Sequence, residues 1–585
     1  MNKTPVLIVG GGPVGLALAC ELGWRGIACS LIEQGDGTII TPKMNEVNVR
    51  TMEFCRRWAI ADDVHRCPFP PDYPLDVAFV TTLSGHEIGR MPRPPRMSEQ
   101  PEPHSPTRLQ VCSQMWFDPI LQRFARRFPH VRLHYRTRLE SFAASENGVS
   151  AEVVEIESSQ RRHIEADYIV GCDGANSMVR RSLSIGLDGK TLGHPVHLYF
   201  RAPNLLEMCG RKPTTFFITV DRGGVWSNVR VIDPVNATWR LMVLDAGSAL
   251  DAEAVDREAY LRRAVGRPLK VEWLGTSVWT RRSVVSQRYA KGRVFLAGDA
   301  VHQLSPTGAL GMNTGIGDAV DLGWKLAAVL AGWGGTDLLS SYEIERRPIG
   351  MRNVGMATEF YRDHQKWDDD LAFIEDDSAV GAEVRRRMGE ALVRDIGRMF
   401  RTIGLQIGYR YENSPICIPD GTPPYPDDPE IFVPSARPGS RAPHVWLSEN
   451  RSILDLYGRG FVLLRLGADA PDGSRLETAA AQRRVPLKTV TVTDREAIQL
   501  YEKRLVLVRP DGHVAWRGDT TPLDAATVID RVRGAQRPSG FHTLGIPSGT
   551  STSANGTHAT CRDEALRSAF AGNPDIDQTS PNDRV

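Results

Sequence analysis

The feature that most constrains this chain is a glycine-rich turn close to its start. Val6-Leu7-Ile8-Val9 is a continuous apolar run with β-branched residues, the pattern of a strand buried on both faces. Gly10, Gly12 and Gly15 follow at once in Gly-x-Gly-x-x-Gly spacing, and Leu16, Leu18, Ala19 and Leu22 continue at helical spacing. Strand, turn and helix in this order open a nucleotide-binding α/β unit. Gly10 permits the tight turn, Gly12 lets backbone approach a pyrophosphate, and Gly15 lets helix and strand pack closely. The helix N-terminus then faces the phosphates with unpaired N–H groups and partial positive charge.

Ser30-Leu31-Ile32-Glu33 reads as the second strand, with Glu33 placed to accept from a ribose 2′-OH. An acid there repels a 2′-phosphate, so the expected nucleotide is FAD or NAD rather than NADP. There is no second Gly-x-Gly-x-x-Gly, which argues against a separate, tightly bound NAD.

The 585 residues imply two to four domains. A net charge of +1 gives no electrostatic case for nucleic acid or an anionic membrane. No apolar run reaches ~18 residues, so no membrane span is expected. A nucleotide-binding strand stands where a signal peptide would, which points to a cytoplasmic protein. The nine cysteines include no Cys-x-x-Cys pair and read as reduced, mostly buried thiols, with no metal site.

Two further motifs follow. A strand ending in Tyr168-Ile169-Val170 feeds Gly171-Cys172-Asp173-Gly174-Ala175-Asn176-Ser177, with Arg180 just beyond. A second, Val294-Phe295-Leu296, runs into Ala297-Gly298-Asp299-Ala300-Val301-His302. Next, Pro306-Thr307-Gly308-Ala309-Leu310-Gly311-Met312-Asn313 opens a helix whose Ala319, Leu322, Leu326, Ala327 and Leu330 keep helical spacing. A carboxylate such as Asp299 accepts only, which suits sugar hydroxyls. A helix N-terminus suits a group that becomes negative on reduction.

The three motifs, in this order, resemble the FAD-dependent aromatic hydroxylases, the single-component flavoprotein monooxygenases, in their phenol hydroxylase-like branch. The resemblance covers about nine-tenths of the chain. It implies an α/β fold: a Rossmann-like FAD-binding domain with an inserted β-sheet substrate domain, plus a thioredoxin-like C-terminal domain. It assigns FAD contacts to Gly10, Gly12, Pro13, Val14, Gly15, Glu33, Gln34, Lys43, Arg50, Gln114, Asp173, Gly298, Asp299, Pro306, Gly311, Met312 and Asn313. Lys43 stands where many members carry Arg. Arg50 and Pro306 are also expected beside the reacting ring. His194, His197, Tyr199 and Arg230, in the expected substrate sheet, are candidates for the group that makes a phenol more phenolate-like, with His197 and Tyr199 carried forward.

The resulting domain plan is FAD-binding over 1–75, 111–184 and 286–400, the last with a helical region. Substrate-binding sheet lies over 76–110 and 185–285, and a Pro-rich linker over 401–437. The thioredoxin-like domain, without cysteines, takes 438–537, and a polar tail 538–585. The resemblance implies that NADH or NADPH, a transient co-substrate, reduces FAD, and that O2 then gives a flavin C4a-hydroperoxide that hydroxylates a small phenolic aromatic. A polycyclic polyketide substrate and a non-catalytic redox-sensing flavoprotein are the alternatives. A homodimer is compatible with this plan.

Overall fold

The computed structural model describes residues 3–98, 102–366 and 371–535, so the expected tail over 538–585 lies outside the described residues. The first strand, Lys3–Val9, lies centrally in a mostly parallel sheet. Cys29–Ile32 and then Val131–His134 flank it on one side, Arg161–Gly171 and Val294–Leu296 on the other. The apolar run Val6–Val9 is buried, as expected for a strand covered on both faces. Gly10 ends that strand with φ +109°, and its N–H donates to the Ile32 carbonyl at 2.9 Å. A Cβ there would run into the Cys172 carbonyl, so the turn and the Cys172-Asp173 segment meet backbone to backbone.

Five helices matter for the site. They are α1 (Pro13–Trp24), α2 (Val49–Arg57), α3 (Gln114–Ala125), α4 (Gly311–Leu330) and α5 (Ser341–Asp363). Pro13 opens α1, where its missing N–H costs nothing. α1 is buried from Gly15 to Gly23 because α3 and α4 both pack against it, so an apolar composition on every side is what it needs.

A second sheet of seven strands stands beside the first. Its order is Glu272–Val278, Val196–Arg201, Thr238–Val243, Gly224–Asp233, Phe216–Asp221, Val77–Val80 and Glu87–Met91. The last two come from the Pro-rich stretch before residue 110, so one sheet is sewn from two distant pieces of chain. Neighbouring strands are antiparallel except Phe216–Asp221 and Val77–Val80.

The C-terminal part runs strand Phe461–Leu466, helix Ser474–Gln482, strand Leu487–Val492, helix Arg495–Tyr501, hairpin Leu505–Val508 with Val514–Gly518, and helix Ala525–Val532. The strand order is second, first, third, fourth, with only the first pair parallel. Phe461 and Leu463 pack with Trp324 and Trp333 near the end of α4, while Val462 and Leu464 face Tyr457 and Tyr501. The alternation buries both faces of this small sheet. Among the described residues no helix is long and apolar enough to cross a membrane, and no cluster of His, Cys, Asp or Glu could hold a metal ion.

Candidate active site

A cleft of about 350 Å³ runs from the first glycine-rich turn to the seven-stranded sheet. Gly12, Pro13 and Val14 line one end, and Phe216, Asn228, Arg230, Arg240, Met242 and Leu244 line the other. Lys43, Gln114, Asp299, Pro306, Gly311 and Met312 lie between. Three motifs spread over some 300 residues of sequence therefore meet in one space.

Each motif is held there by backbone chemistry. Glu33 accepts from Gly11 N–H and Gly35 N–H, both at 2.7 Å, so its carboxylate braces the turn and keeps its remaining lone pairs for a ligand. Gln34 follows, exposed at the strand end. Asp173 Oδ2 accepts from the Val179 amide at 3.0 Å, while Oδ1 is buried without a partner. Gly298, with φ +65°, begins the turn that brings Asp299 to the cleft, and a Cβ on it would lie 2.9 Å from Val14. Asp299 opens onto the cleft with protein around it on its other sides. That setting pushes its carboxyl above the ordinary range, against the opposing pull of His302 and Lys43.

Asn313 acts through its side chain within the protein. Its Oδ1 accepts from Asn48 N–H at 3.0 Å and from the Thr51 hydroxyl at 2.8 Å, and its Nδ2 donates to the Ala309 carbonyl at 2.8 Å. This locks the start of α2 onto the start of α4. The first-turn amides of α4, at Gly311, Met312 and Asn313, have no helical acceptor, and Gly311 and Met312 line the cleft. Gln114 accepts from Lys43 N–H at 3.1 Å and donates to Asp118 at 3.1 Å. Burial pushes the Asp118 carboxyl up to about 7 against the pull of that amide.

Three expectations are corrected. Arg50 does not reach the cleft. Its guanidinium donates to Glu53 at 2.7 Å, to the Asp511 carbonyl at 2.8 Å and to Tyr409 at 3.3 Å. It faces the opposite side of α2, where the buried acid Glu53 and the C-terminal domain satisfy it. Tyr199 donates its hydroxyl to the Pro42 carbonyl at 2.9 Å, one residue before Lys43, so it braces the cleft loop rather than a substrate. His197 sits between Tyr199 at 3.4 Å and the Trp279 indole N–H at 3.3 Å, both ring nitrogens engaged. Burial, and then the cations Arg240, Arg281 and Lys43, hold it well below the ordinary histidine range, which makes it a poor base. Both residues pair in register with cleft-lining Arg240 and Met242, one strand too far from the opening.

The residue that sequence reasoning missed is Arg240. It is 6% exposed and lines the cleft. Its Nε has no partner, its Nη2 lies 3.5 Å from Asn228 Oδ1, the outer limit for a hydrogen bond, and the Tyr199 hydroxyl is its other polar neighbour, so no carboxylate among the described residues pairs with it. Its neighbour Arg230 is paired with Glu46 at 2.9 Å. A signal existed: Arg240 shares a strand face with Met242 and Leu244 in an otherwise apolar run, where a charge needs a reason.

The fit to FAD can be judged from these observations. Nothing lies within 4 Å of a Cβ built on Gly12, leaving its backbone open to a pyrophosphate. The orphaned Asp173 oxygen is an acceptor that the protein itself does not use, and the first-turn amides of α4 are donors without a helical acceptor. Residues 3–357 match the family model described as FAD binding domain, and residues 435–535 match that described as aromatic-ring hydroxylase, C-terminal. The chain belongs to the FAD-dependent aromatic hydroxylases. FAD is its cofactor, and NADH or NADPH is the co-substrate typical of this family.

The FAD-dependent monooxygenase apdD of Emericella nidulans is 34% identical over 559 residues, covering 89% of this chain and 88% of that protein. The 2,4-dichlorophenol 6-monooxygenase of Delftia acidovorans is 29% identical, over 88% of this chain and 95% of its own. A solved structure of the rebeccamycin biosynthetic enzyme RebC, soaked with chromopyrrolic acid and holding 7-carboxy-K252c, is similar with TM-score 0.85. It is 39% identical and covers 92% of this chain and 100% of that one.

Proposed function

We propose that this monooxygenase hydroxylates a phenolic aromatic compound that carries an anionic group, held by Arg240. The observation that carries this is the buried Arg240 guanidinium lining the cleft with no carboxylate partner. A guanidinium stays protonated, and burying it unpaired is costly unless a ligand completes it. Arg230 does not compete for that ligand, because Glu46 already neutralises it. The carboxylated ligand of RebC supports the same choice of substrate class.

FAD would be held by the Gly10–Gly15 turn, Glu33, Lys43, Gln114, Asp173, Asp299, Pro306 and the first turn of α4. When bound it supplies the redox chemistry, taking electrons from the reduced nicotinamide and passing them to O2. The chain's own residues do the rest. Arg240 orients the aromatic ring. Phe216, Met242 and Leu244 exclude water around it, which matters because an activated oxygen species in water is lost as peroxide. The α4 amides stabilise negative charge near the N-terminus of α4. The strand order and helical crossovers of the last domain support a thioredoxin-like reading. It contains no cysteine, so its role is structural.

The test is NADH and NADPH oxidation with matched pairs of aromatic acids and their methyl esters, comparing wild type with Arg240→Met. An acid that stimulates oxidation with little peroxide, a silent ester, and a KM raised about 10- to 100-fold in the variant would support the proposal. Equal turnover of acid and ester by the wild type would sink it.

A further inference from the structure

We propose that Asp318 is a positioning residue for the FAD site: it holds the Gly298–Asp299 turn in the conformation that carries Asp299 into the cleft. This rests on reading that cleft as the FAD site.

Asp318 lies on α4 and is fully buried, away from the cleft itself. Its Oδ2 accepts from the Gly298 amide at 3.1 Å and from His302 Nε2 at 2.7 Å. Its Oδ1 accepts from Arg346 Nε of α5 at 2.8 Å. One carboxylate thus ties together the first residue of the turn, the residue that ends it, and a third element. Gly298 is the residue that most needs holding, because its φ of +65° lies in the left-handed region.

The carboxylate is itself held from behind. Arg346 also donates to the Thr314 carbonyl at 3.1 Å and to the Tyr411 hydroxyl at 3.4 Å. Gly317 makes room for it, since a Cβ there would lie 2.8 Å from the guanidinium. On the opposite side of the turn Val14 packs against both Gly298 and Gly315, leaving no slack. Three donors converge on two oxygens, so an acceptor-only group is required. An amide in its place would turn an N–H₂ toward a donor. Burial raises the Asp318 carboxyl, but His302 and Arg346 outweigh it and keep the group ionised.

The experiment uses the full chain, stripped of FAD and reconstituted, with Asp318→Asn and the gentler His302→Ala. FAD and ADP affinities are measured side by side, with the visible spectrum and midpoint potential of bound flavin. ADP reaches the Gly10–Gly15 turn but not Asp299, so it reports whether the remainder of the site is intact. The expected result is FAD affinity lowered about 10- to 100-fold in Asp318→Asn and by less in His302→Ala. ADP binding should stay within twofold of wild type, and the flavin spectrum and potential should shift. Parallel losses of FAD and ADP, or a folded variant that binds FAD as wild type does, would overturn the role of Asp318. If Asp318→Asn does not fold, His302→Ala alone decides by the same criteria. Wild type that binds ADP but no FAD would instead overturn the reading of the cleft, and this proposal with it.

Discussion

Two buried polar regions of this molecule differ in one respect that separates site from scaffold. Between α4, α5 and the C-terminal domain lies an ionic knot. Arg509 pairs with Glu345 at 2.6 Å, Asp511 at 2.7 Å and Asp321 at 3.1 Å, and Lys325 with Asp321 at 2.7 Å and Glu345 at 2.5 Å. The side chains of all five are at most 3% exposed, and each charge faces opposite charge. At the cleft, Arg240 Nε, and Asp173 Oδ1 between the lining residues Cys172 and Gly174, are also buried but have no partner. Burial of a polar group is costly in both places. In the knot the protein supplies the compensation, whereas at the cleft it supplies none, and the proposed ligands would have to provide it.

That contrast predicts opposite outcomes for superficially similar substitutions. Glu345→Ala takes one carboxylate partner from each of two buried cations, Arg509 and Lys325, and should lower stability by about 3–5 kcal/mol in urea unfolding. A loss under about 1 kcal/mol would mean that the knot is not the scaffold described here.

Acid should act on both regions through histidines. Burial holds His364, on the cleft, and His513, beside the knot, each down to about 4. The ordinary value in the unfolded chain is about 6.5. The folded protein therefore keeps these rings neutral while the unfolded chain takes up protons. Their contribution is intact above pH ~6.5 and is lost as pH falls toward 4, by about 2–3 kcal/mol for each. Denaturation curves between pH 7 and 4 should show this fall, and His513→Gln should flatten part of it. Asp118 runs the other way. Raised to about 7 from an unfolded value of about 3.9, its carboxyl costs nothing below pH ~4 and costs progressively more as pH rises from 4 to 7, so the gain from Asp118→Asn should grow over that range and stay level above 7.

Gly10→Ala tests the turn at the cleft's edge. It forces a side chain to φ +109° and into the Cys172 carbonyl. A cost of about 2 kcal/mol and loss of bound FAD are expected, read from melting and from flavin content. The smallest effect should be that of Arg240→Met on stability. Removing a charge that no carboxylate among the described residues pairs with should change unfolding by less than about 1 kcal/mol, and in the stabilising direction if anything. If it costs as much as Glu345→Ala, Arg240 belongs to the scaffold and the division between regions fails.

Much of the cofactor end was legible from residue order. Gly10, Gly12, Gly15 and the run after Gly311 act through backbone shape and helix ends, which local sequence dictates. The strand before them and the helix after them stand where their spacing puts them. Arg50 shows the limit. Its place in a motif pointed to the flavin, yet its partner is a carbonyl 461 residues away. Tyr199 and His197 lie in the expected sheet, but which strand borders the cleft depends on how seven strands from two stretches of chain are ordered.

By itself, then, the sequence determined the glycine-rich turn after the first strand, the helix that opens at Gly311 and the family they belong to, because these rest on short-range backbone geometry. Only the tertiary structure decided which buried charges the protein pairs with its own groups and which it does not. Pairing is a matter of distance in space: Arg509 finds Glu345 across 164 positions, whereas Arg240, in a strand of the same apolar pattern, finds no acid among the described residues.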